Sequence, residues 1–228
     1  MCGRFVSATD ADGLTRFMVI DERQTPDLGP NYNVAPSQQV YAVAEHDEQR
    51  HLVALQWGLV PSWAKDPKIG NRLINARSET AAEKNSFKSS LRKRRCLIPA
   101  DGFYEWQRHA DGSKTPHFIH RADGAPMALA GLWSVWRGDG GEDAAPLKTC
   151  TILTTRANDF MADLHDRMPV ILEPEAWDLW LDRAVEDPAA VDPLLAPADP
   201  RLLAGHPVSR EVNNPRNNHA GLIEPVSA

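Results

Sequence analysis

The chain opens Met1-Cys2-Gly3-Arg4-Phe5, and loss of Met1 would leave a cysteine at the N-terminus. Such a residue carries a free α-amine beside its thiol. The amine has a reference pKa of ~7.7–8.0 and the thiol ~8.5, so both are partly in their reactive forms near neutral pH. An aldehyde meeting the pair can form a Schiff base with the amine, and the sulfur can then close a five-membered thiazolidine ring, intramolecular after the first encounter. A thiolate attacking an acyl group with the amine as its base is a second chemistry. An unremarkable Met-Cys-Gly start is the plain alternative.

Other residues able to do chemistry are scattered along the chain. Glu105 lies among Phe103, Tyr104 and Trp106, and in strand alternation shares a face with Phe103, an apolar setting suited to proton transfer. His165, followed by Asp166, is a natural proton donor near neutral pH. Asn75 offers an amide donor and acceptor two residues before Arg77, and Trp63, in a proline-flanked loop, could stack on a base. Each has a bland counterpart: a solvated strand glutamate, one histidine of eight, a turn asparagine, one tryptophan of seven.

These residues need elements to hold them. The spacing of Leu14, Phe17 and Met18 predicts a short helix capped by Ser7 or Thr9, and Asp21 to Pro30 reads as a loop. Asn31 to Pro36 is extended. Val40 to Ala44 and Leu52 to Trp57 read as paired strands across the charged turn Glu45 to Arg50. Thr80 and Glu83 have capping-box spacing, predicting a helix from about Thr80 to Leu91 with Asn75 and Arg77 just before its N-terminus. Strands are expected at Arg95 to Pro99, Phe103 to Gln107, Pro116 to His120, Met127 to Trp136, Thr149 to Thr155 and Val170 to Leu172, with a polar loop from Gly138 to Asp143. Short helices are expected at Asn158 to Leu164, Pro174 to Arg183 and Pro188 to Ala196, and Pro207 to Ser209 as extended chain. The class is α+β: one domain over residues 1–228, a mixed, mainly antiparallel sheet, curled or closed into a barrel, with short flanking helices.

With 42% hydrophobic residues in 228, the chain can bury a sizeable core, and no apolar run reaches membrane-spanning length. There is no signal-peptide pattern at the start, so a soluble cytoplasmic protein is expected, and with no clear oligomer signal a monomer is the default. Three cysteines without metal spacing suggest neither a disulfide framework nor a metal site, and no cofactor is expected; Cys96 and Cys150 read as buried packing residues. Net charge is −6, but it is segregated: six basic residues and one acidic between Glu83 and Arg95, eight acidic and one basic between Glu173 and Pro200. A basic face for nucleic acid is therefore compatible with the acidic total.

Six ordered stretches carry a resemblance. They are Cys2-Gly3-Arg4-Phe5, Tyr32 to Pro36, Trp57 to Pro61, Ile74 to Thr80, Cys96 to Trp106 and His165 to Pro169. In these the chain resembles the SRAP (SOS response-associated peptidase) family of abasic site processing proteins, from Cys2 to about Ser209. The resemblance implies a covalent thiazolidine crosslink between Cys2 and the ring-opened sugar of an abasic site in single-stranded DNA. It implies Asn75 bonding the sugar or adduct, Glu105 deprotonating the α-amine and His165 protonating the ring oxygen. Arg4, Arg77 and Arg167 would meet phosphates, Trp63 would stack on a base and Asn33 would line the strand's path. Ala64 stands where some relatives have a second aromatic, so a two-ring platform is not implied. The family name also implies a peptidase, removing Met1 from its own chain; an aminopeptidase would suffice, because cysteine is small.

Two rivals predict different outcomes. An N-terminal-nucleophile glutamine amidohydrolase would release ammonia from glutamine, although nothing later in the chain resembles its glutamine-binding motifs. A non-covalent single-strand binder would show salt-sensitive binding that survives Cys2→Ala.

Overall fold

A computed structural model describes residues 2–138 and 145–226. Of the loop expected over Gly138 to Asp143, only Gly138 lies within the described residues.

The strands are β1 (Phe5–Ser7), β2 (Glu22–Arg23), β3 (Asn31–Val34), β4 (Gln39–His46), β5 (Gln49–Trp57), β6 (Asn75–Arg77), β7 (Arg95–Ala100), β8 (Gly102–Arg108), β9 (Lys114–Arg121), β10 (Met127–Trp136), β11 (Leu147–Arg156), β12 (Arg167–Pro169) and β13 (Leu203–Pro207). The α-helices are α1 (Ala11–Met18), α2 (Ser78–Ala81), α3 (Lys88–Lys93), α4 (Asp159–Ala162), α5 (Trp177–Leu181) and α6 (Pro188–Val191). One sheet runs β13-β9-β8-β1-β3, and the larger runs β12-β11-β10-β7-β4-β5-β2 with β6 beside β11. In the larger sheet β5 also pairs in parallel with β11. The ring β4-β5-β11-β10-β7 thus closes on itself, since β7 returns to β4 at Val43↔Leu97. The expected α+β class and curled sheet are both present.

Side-chain alternation sorts the core into layers. Val40, Ala42, Leu55, Cys96, Ile98, Leu129, Cys150 and Ile152 point inward and meet Phe5, Val34, Phe103 and Ile119 of the smaller sheet. The alternate residues Tyr41, Val43, Leu97, Ala128, Ala130 and Leu153 pack under the helices, against Leu14, Leu91, Trp177 and Trp180. The outer face of the smaller sheet, with Val6, Tyr104 and Phe118, is covered by the C-terminal segment through Val208, Val212 and Leu222. Both cysteines expected to be packing residues, Cys96 and Cys150, are buried and free.

Several boundaries differ from expectation for local reasons. Helix α1 is capped by Asp10, whose side chain accepts from the Gly13 N–H, rather than by Ser7 or Thr9. The predicted Thr80–Leu91 helix is broken: α2 ends at Ala81, and α3 begins only at Lys88. No side chain caps α2; Asn75 to Arg77 form a strand beside β11 and lead straight into α2, with Arg77 at its N-cap as expected. The loop read over Asp21 to Pro30 carries the short strand β2, pairing in parallel with β5. The strand expected at Val170 to Leu172 is displaced to Arg167–Pro169, although Ile171 still bridges Leu129. The Pro174 to Arg183 helix begins as a 3-10 turn and ends at Leu181.

Buried Arg95 explains where two helices stop. Its guanidinium donates to the carbonyls of Leu91 (2.8 Å), Arg92 (3.2 Å) and Trp180 (2.6 Å), and also to that of Asp182. These are the unsatisfied carbonyls at the ends of α3 and α5, where a cation is favoured.

Candidate active site at the N-terminal cysteine

Cys2 is fully buried between the sheets, in the same cluster as Phe5, Trp57 and Phe103. The segment that carries it is fastened along its length. Asp101 accepts from the backbone N–H groups of Ala8 (2.6 Å) and Thr9 (3.0 Å) and from the Thr9 hydroxyl. The Asp101 N–H donates to Val6 O at 2.9 Å, and the Tyr104 N–H to Arg4 O at 2.9 Å. Strand β1 is thereby registered on β8, with Phe5 opposite Phe103. The Asp101 side chain, between β7 and β8, thus anchors the N-terminal segment.

Asn75 reaches Cys2 from β6, its Nδ2 donating to the Cys2 carbonyl at 2.7 Å. The Asn75 Oδ1 is buried and has no hydrogen-bond partner among the described residues, a spare acceptor next to the cysteine. A close glycine pair brings β6 here. Gly58 has φ 122°, and a Cβ on it would lie 2.8 Å from the Gly70 carbonyl oxygen, so the chain from Trp57 can fold back tightly on itself. The Trp57 indole then donates to Ile74 O at 2.8 Å, immediately before Asn75.

Glu105 is 5% exposed and, two residues along β8 from Phe103, sits on the strand face that meets the Cys2 cluster. The Cys2 thiol is pushed up to about 12, first by burial and then by the negative charge of Glu105, while a hydrogen bond from the Arg4 N–H pulls the other way. In the chain that still carries Met1 the cysteine is therefore a neutral, shielded thiol.

His165 follows α4, which is capped by the Asn158 side chain accepting from the Met161 N–H. Gln107, on the Glu105 face of β8, donates to Asp163 O at 3.5 Å, bringing the strand to the segment that ends in His165. Two groups claim the histidine's Nδ1: the Arg167 backbone N–H at 3.0 Å and the Asp166 carboxylate at 2.7 Å. One nitrogen cannot accept from the first and donate to the second at once. The backbone donor is fixed in place, whereas the Asp166 side chain is 86% exposed, so we assign Nδ1 as the acceptor, which leaves the N–H on Nε2.

Beside Asn75 lies an open groove of about 430 Å³ whose lining includes Arg77, Lys84 and Phe87. Arg77 is exposed. Trp63 is 58% exposed, and its indole donates to Asn85 O at 3.4 Å, on the loop that borders this groove. The other expected DNA contacts are otherwise engaged. Asn33 is 1% exposed, and its amide donates to the carbonyls of Val212, Asn214 and Asn217. Half-buried Arg4 donates to Asn33 Oδ1 (2.6 Å) and Val212 O (2.8 Å), and burial lowers its pKa. Arg167 makes a two-pronged ion pair with Glu79 at 3.1 and 2.8 Å, which holds the Glu79 carboxyl below its usual range. Glu79 was missed as its partner because the two lie 88 residues apart.

No group of His, Cys, Asp or Glu side chains among the described residues could hold a metal ion, and no helix there is long and apolar enough to cross a membrane.

A buried cysteine next to the initiator methionine, held between two curled sheets with an amide and a carboxylate beside it, defines a protein built around its own N-terminus. Residues 1–215 match the model of the SRAP, or SOS response associated peptidase, family, and the chain belongs to that family. It is 44% identical to the abasic site processing protein YoqW of Bacillus subtilis, over 98% of this chain and 99% of that one. It is 38% identical to the abasic site processing protein YedK of Escherichia coli (99% and 100% covered) and 35% identical to HMCES of Gallus gallus (99% and 78% covered). In fold it is similar to a crystal structure of a Bacteroides thetaiotaomicron protein, with a TM-score of 0.87 at 24% identity, over 99% of this chain and 100% of that one.

Proposed function

We propose that this protein processes abasic sites in single-stranded DNA by forming a covalent crosslink through Cys2 after Met1 has left. The observation that carries the proposal is the arrangement at Cys2: a buried thiol, an asparagine amide on its carbonyl and a carboxylate charge acting on it. Three relatives named for abasic site processing, each covered over nearly all of this chain, support the same substrate.

An abasic sugar rests mainly as a closed hemiacetal, so its aldehyde must first be released. His165 donates a proton to the ring oxygen as the C1′–O bond breaks and the anomeric hydroxyl loses its proton. The Cys2 α-amine, relieved of a proton by Glu105, adds to C1′ to give a carbinolamine, which expels water to form an imine. The sulfur then adds to the imine carbon as the thiol proton passes to the nitrogen, closing the thiazolidine. Aldehyde and aminothiol combine with net loss of one water. Asn75 holds the Cys2 carbonyl and offers its vacant Oδ1 to a sugar hydroxyl. Arg77 and Trp63, at the neighbouring groove, meet the phosphate and a base. Arg4 belongs to this reading only through its backbone N–H on the thiol, and Arg167 only once Glu79 releases it.

Removal of Met1, by the chain itself or by an aminopeptidase, generates the reagent. The crosslink would shield the lesion during replication or repair. The test is a denaturing gel of protein with abasic single-stranded DNA. A slow-migrating band that vanishes in Cys2→Ala is expected. No band with the wild type, or an equal band with Cys2→Ala, refutes the proposal, and the second result would favour the non-covalent binder or another nucleophile.

A further inference from the structure

The closed barrel has two ends, and the site above uses only one. Trp57, Asn75 and Ala100 mark the end near Cys2. Chain direction puts the start of β5, the end of β4, the start of β11 and the end of β10 at the other. There a cavity of about 410 Å³ opens. That is within the ~300–1,000 Å³ typical of small-molecule sites. Its inner wall is apolar, from Val53, Leu55, Val135 and Trp133.

Three cations line its rim: Arg94, Lys148 and Arg183. None makes an ion pair or a side-chain hydrogen bond among the described residues, whereas Arg50, Arg95, Arg121 and Arg167 are all engaged. Arg94 is half-buried, its guanidinium 5.6 Å above the Trp133 ring, which fixes the fork's position and leaves its N–H groups available. Against the three cations stands one carboxylate, Glu45, whose pKa is raised by burial and then by Asp182. His46 and His51 also line the cavity, with His46 paired to Asp47 and His51 to Glu22, each at 2.9 Å. Cations with no partner among the described residues, set over an apolar pocket, favour an anion with an apolar body, the anion in bidentate contact with the guanidinium.

We propose that this far mouth of the barrel is a second binding site, taking a small organic phosphate monoester. Its phosphate is held by Arg94, Lys148 and Arg183, and its flat apolar body sits against Val53, Leu55 and Trp133. The site lies at the opposite end from Cys2 and is independent of the crosslinking reading.

The test is titration calorimetry of the full chain with phenyl phosphate and with 2′-deoxyadenosine 5′-monophosphate, at physiological ionic strength. Inorganic phosphate and deoxyadenosine serve as half-ligands. Saturable one-to-one binding of at least one monoester is expected, each half-ligand at least tenfold weaker. Arg94→Met, which keeps the stem on Trp133, and Lys148→Ala should each weaken binding about tenfold. Glu45→Gln should tighten it several-fold, and Asn75→Ala should leave it unchanged. No binding of either monoester overturns the proposal. So does inorganic phosphate binding as tightly as the monoesters, or affinity that falls with Asn75→Ala instead of Arg94→Met. Thermal melts of both rim variants that match the wild type exclude misfolding as the cause of lost binding.

Discussion

At the residue scale the chemistry turns on how Cys2 is kept and how it is used. While Met1 remains, burial and the Glu105 charge push the thiol up to about 12. A group whose folded pKa lies above its unfolded value of ~8.5 favours the folded state below that value, and this contribution is lost as pH rises from there towards 12. With Cys96 and Cys150 buried as well, the native protein with a blocked N-terminus should take up almost no thiol reagent at pH 8. The unfolded protein should take up three equivalents, counted by mass spectrometry. Rapid native labelling of Cys2 would mean that the thiol is open. Asn75→Ala removes the donor to the Cys2 carbonyl, and we expect single-turnover adduct formation at saturating DNA to slow by at least ~10-fold. Glu79→Ala should release Arg167 to a phosphate. Affinity for single-stranded DNA should rise, and the salt slope should steepen by about 0.7. A falling affinity would show that the ion pair organises the site instead of masking it. Glu79, held low by Arg167, keeps that pair through neutral pH and loses it only as pH falls through its depressed pKa, and at half exposure the pair adds little stability.

At the element scale, what was legible in the sequence was whatever depends on short-range pattern. Short-range pattern gave the strand pair β4–β5 and the separate strands β8 and β9, which the structure pairs, and alternation placed Phe103 and Glu105 on one face. The failures arose where distant chain decides. The Thr80 to Leu91 helix breaks after Ala81, although its capping-box spacing argues for continuity, and α3 ends where Arg95 supplies the cap. The resemblance puts Arg4 and Asn33 at the DNA; in the structure both clasp the C-terminal segment, 208 and 181 residues away. No local pattern announces that. Asn33→Ala should therefore loosen the tail, costing ~2 kcal/mol from lost buried hydrogen bonds and exposing the chain beyond Val212 to protease. Arg95→Ala uncovers the carbonyl ends of two helices and should cost at least ~3 kcal/mol in denaturant unfolding. The β4–β5 turn is strained in the opposite sense: Asp47 and Glu48 have φ of 51° and 59°, a geometry that favours Asn-Gly. Asp47→Asn with Glu48→Gly should raise stability by up to ~1 kcal/mol.

At the scale of the whole molecule, the parallel pairing of β5 with β11 closes the barrel, a step that no window of sequence reveals. Closure puts Cys2 at one end, between the sheets, and leaves the cationic mouth at the other. It also gathers Cys2, Asn75 and Glu105 from three distant stretches. The candidate site was legible as a set of residue types, through resemblance more than local signal; the Glu79 clamp, the Asp101 anchor and the commitment of Arg4 and Asn33 were not, because each is a contact across the fold. The central claim is that an N-terminal aminothiol captures the sugar. Intact mass spectrometry of the species trapped on abasic single-stranded DNA tests it most directly. The expected species is protein without Met1 plus DNA minus one water, stable without borohydride, with fragmentation placing the link on residue 2. An adduct retaining Met1, or one that survives only after reduction and maps to a lysine, would contradict it.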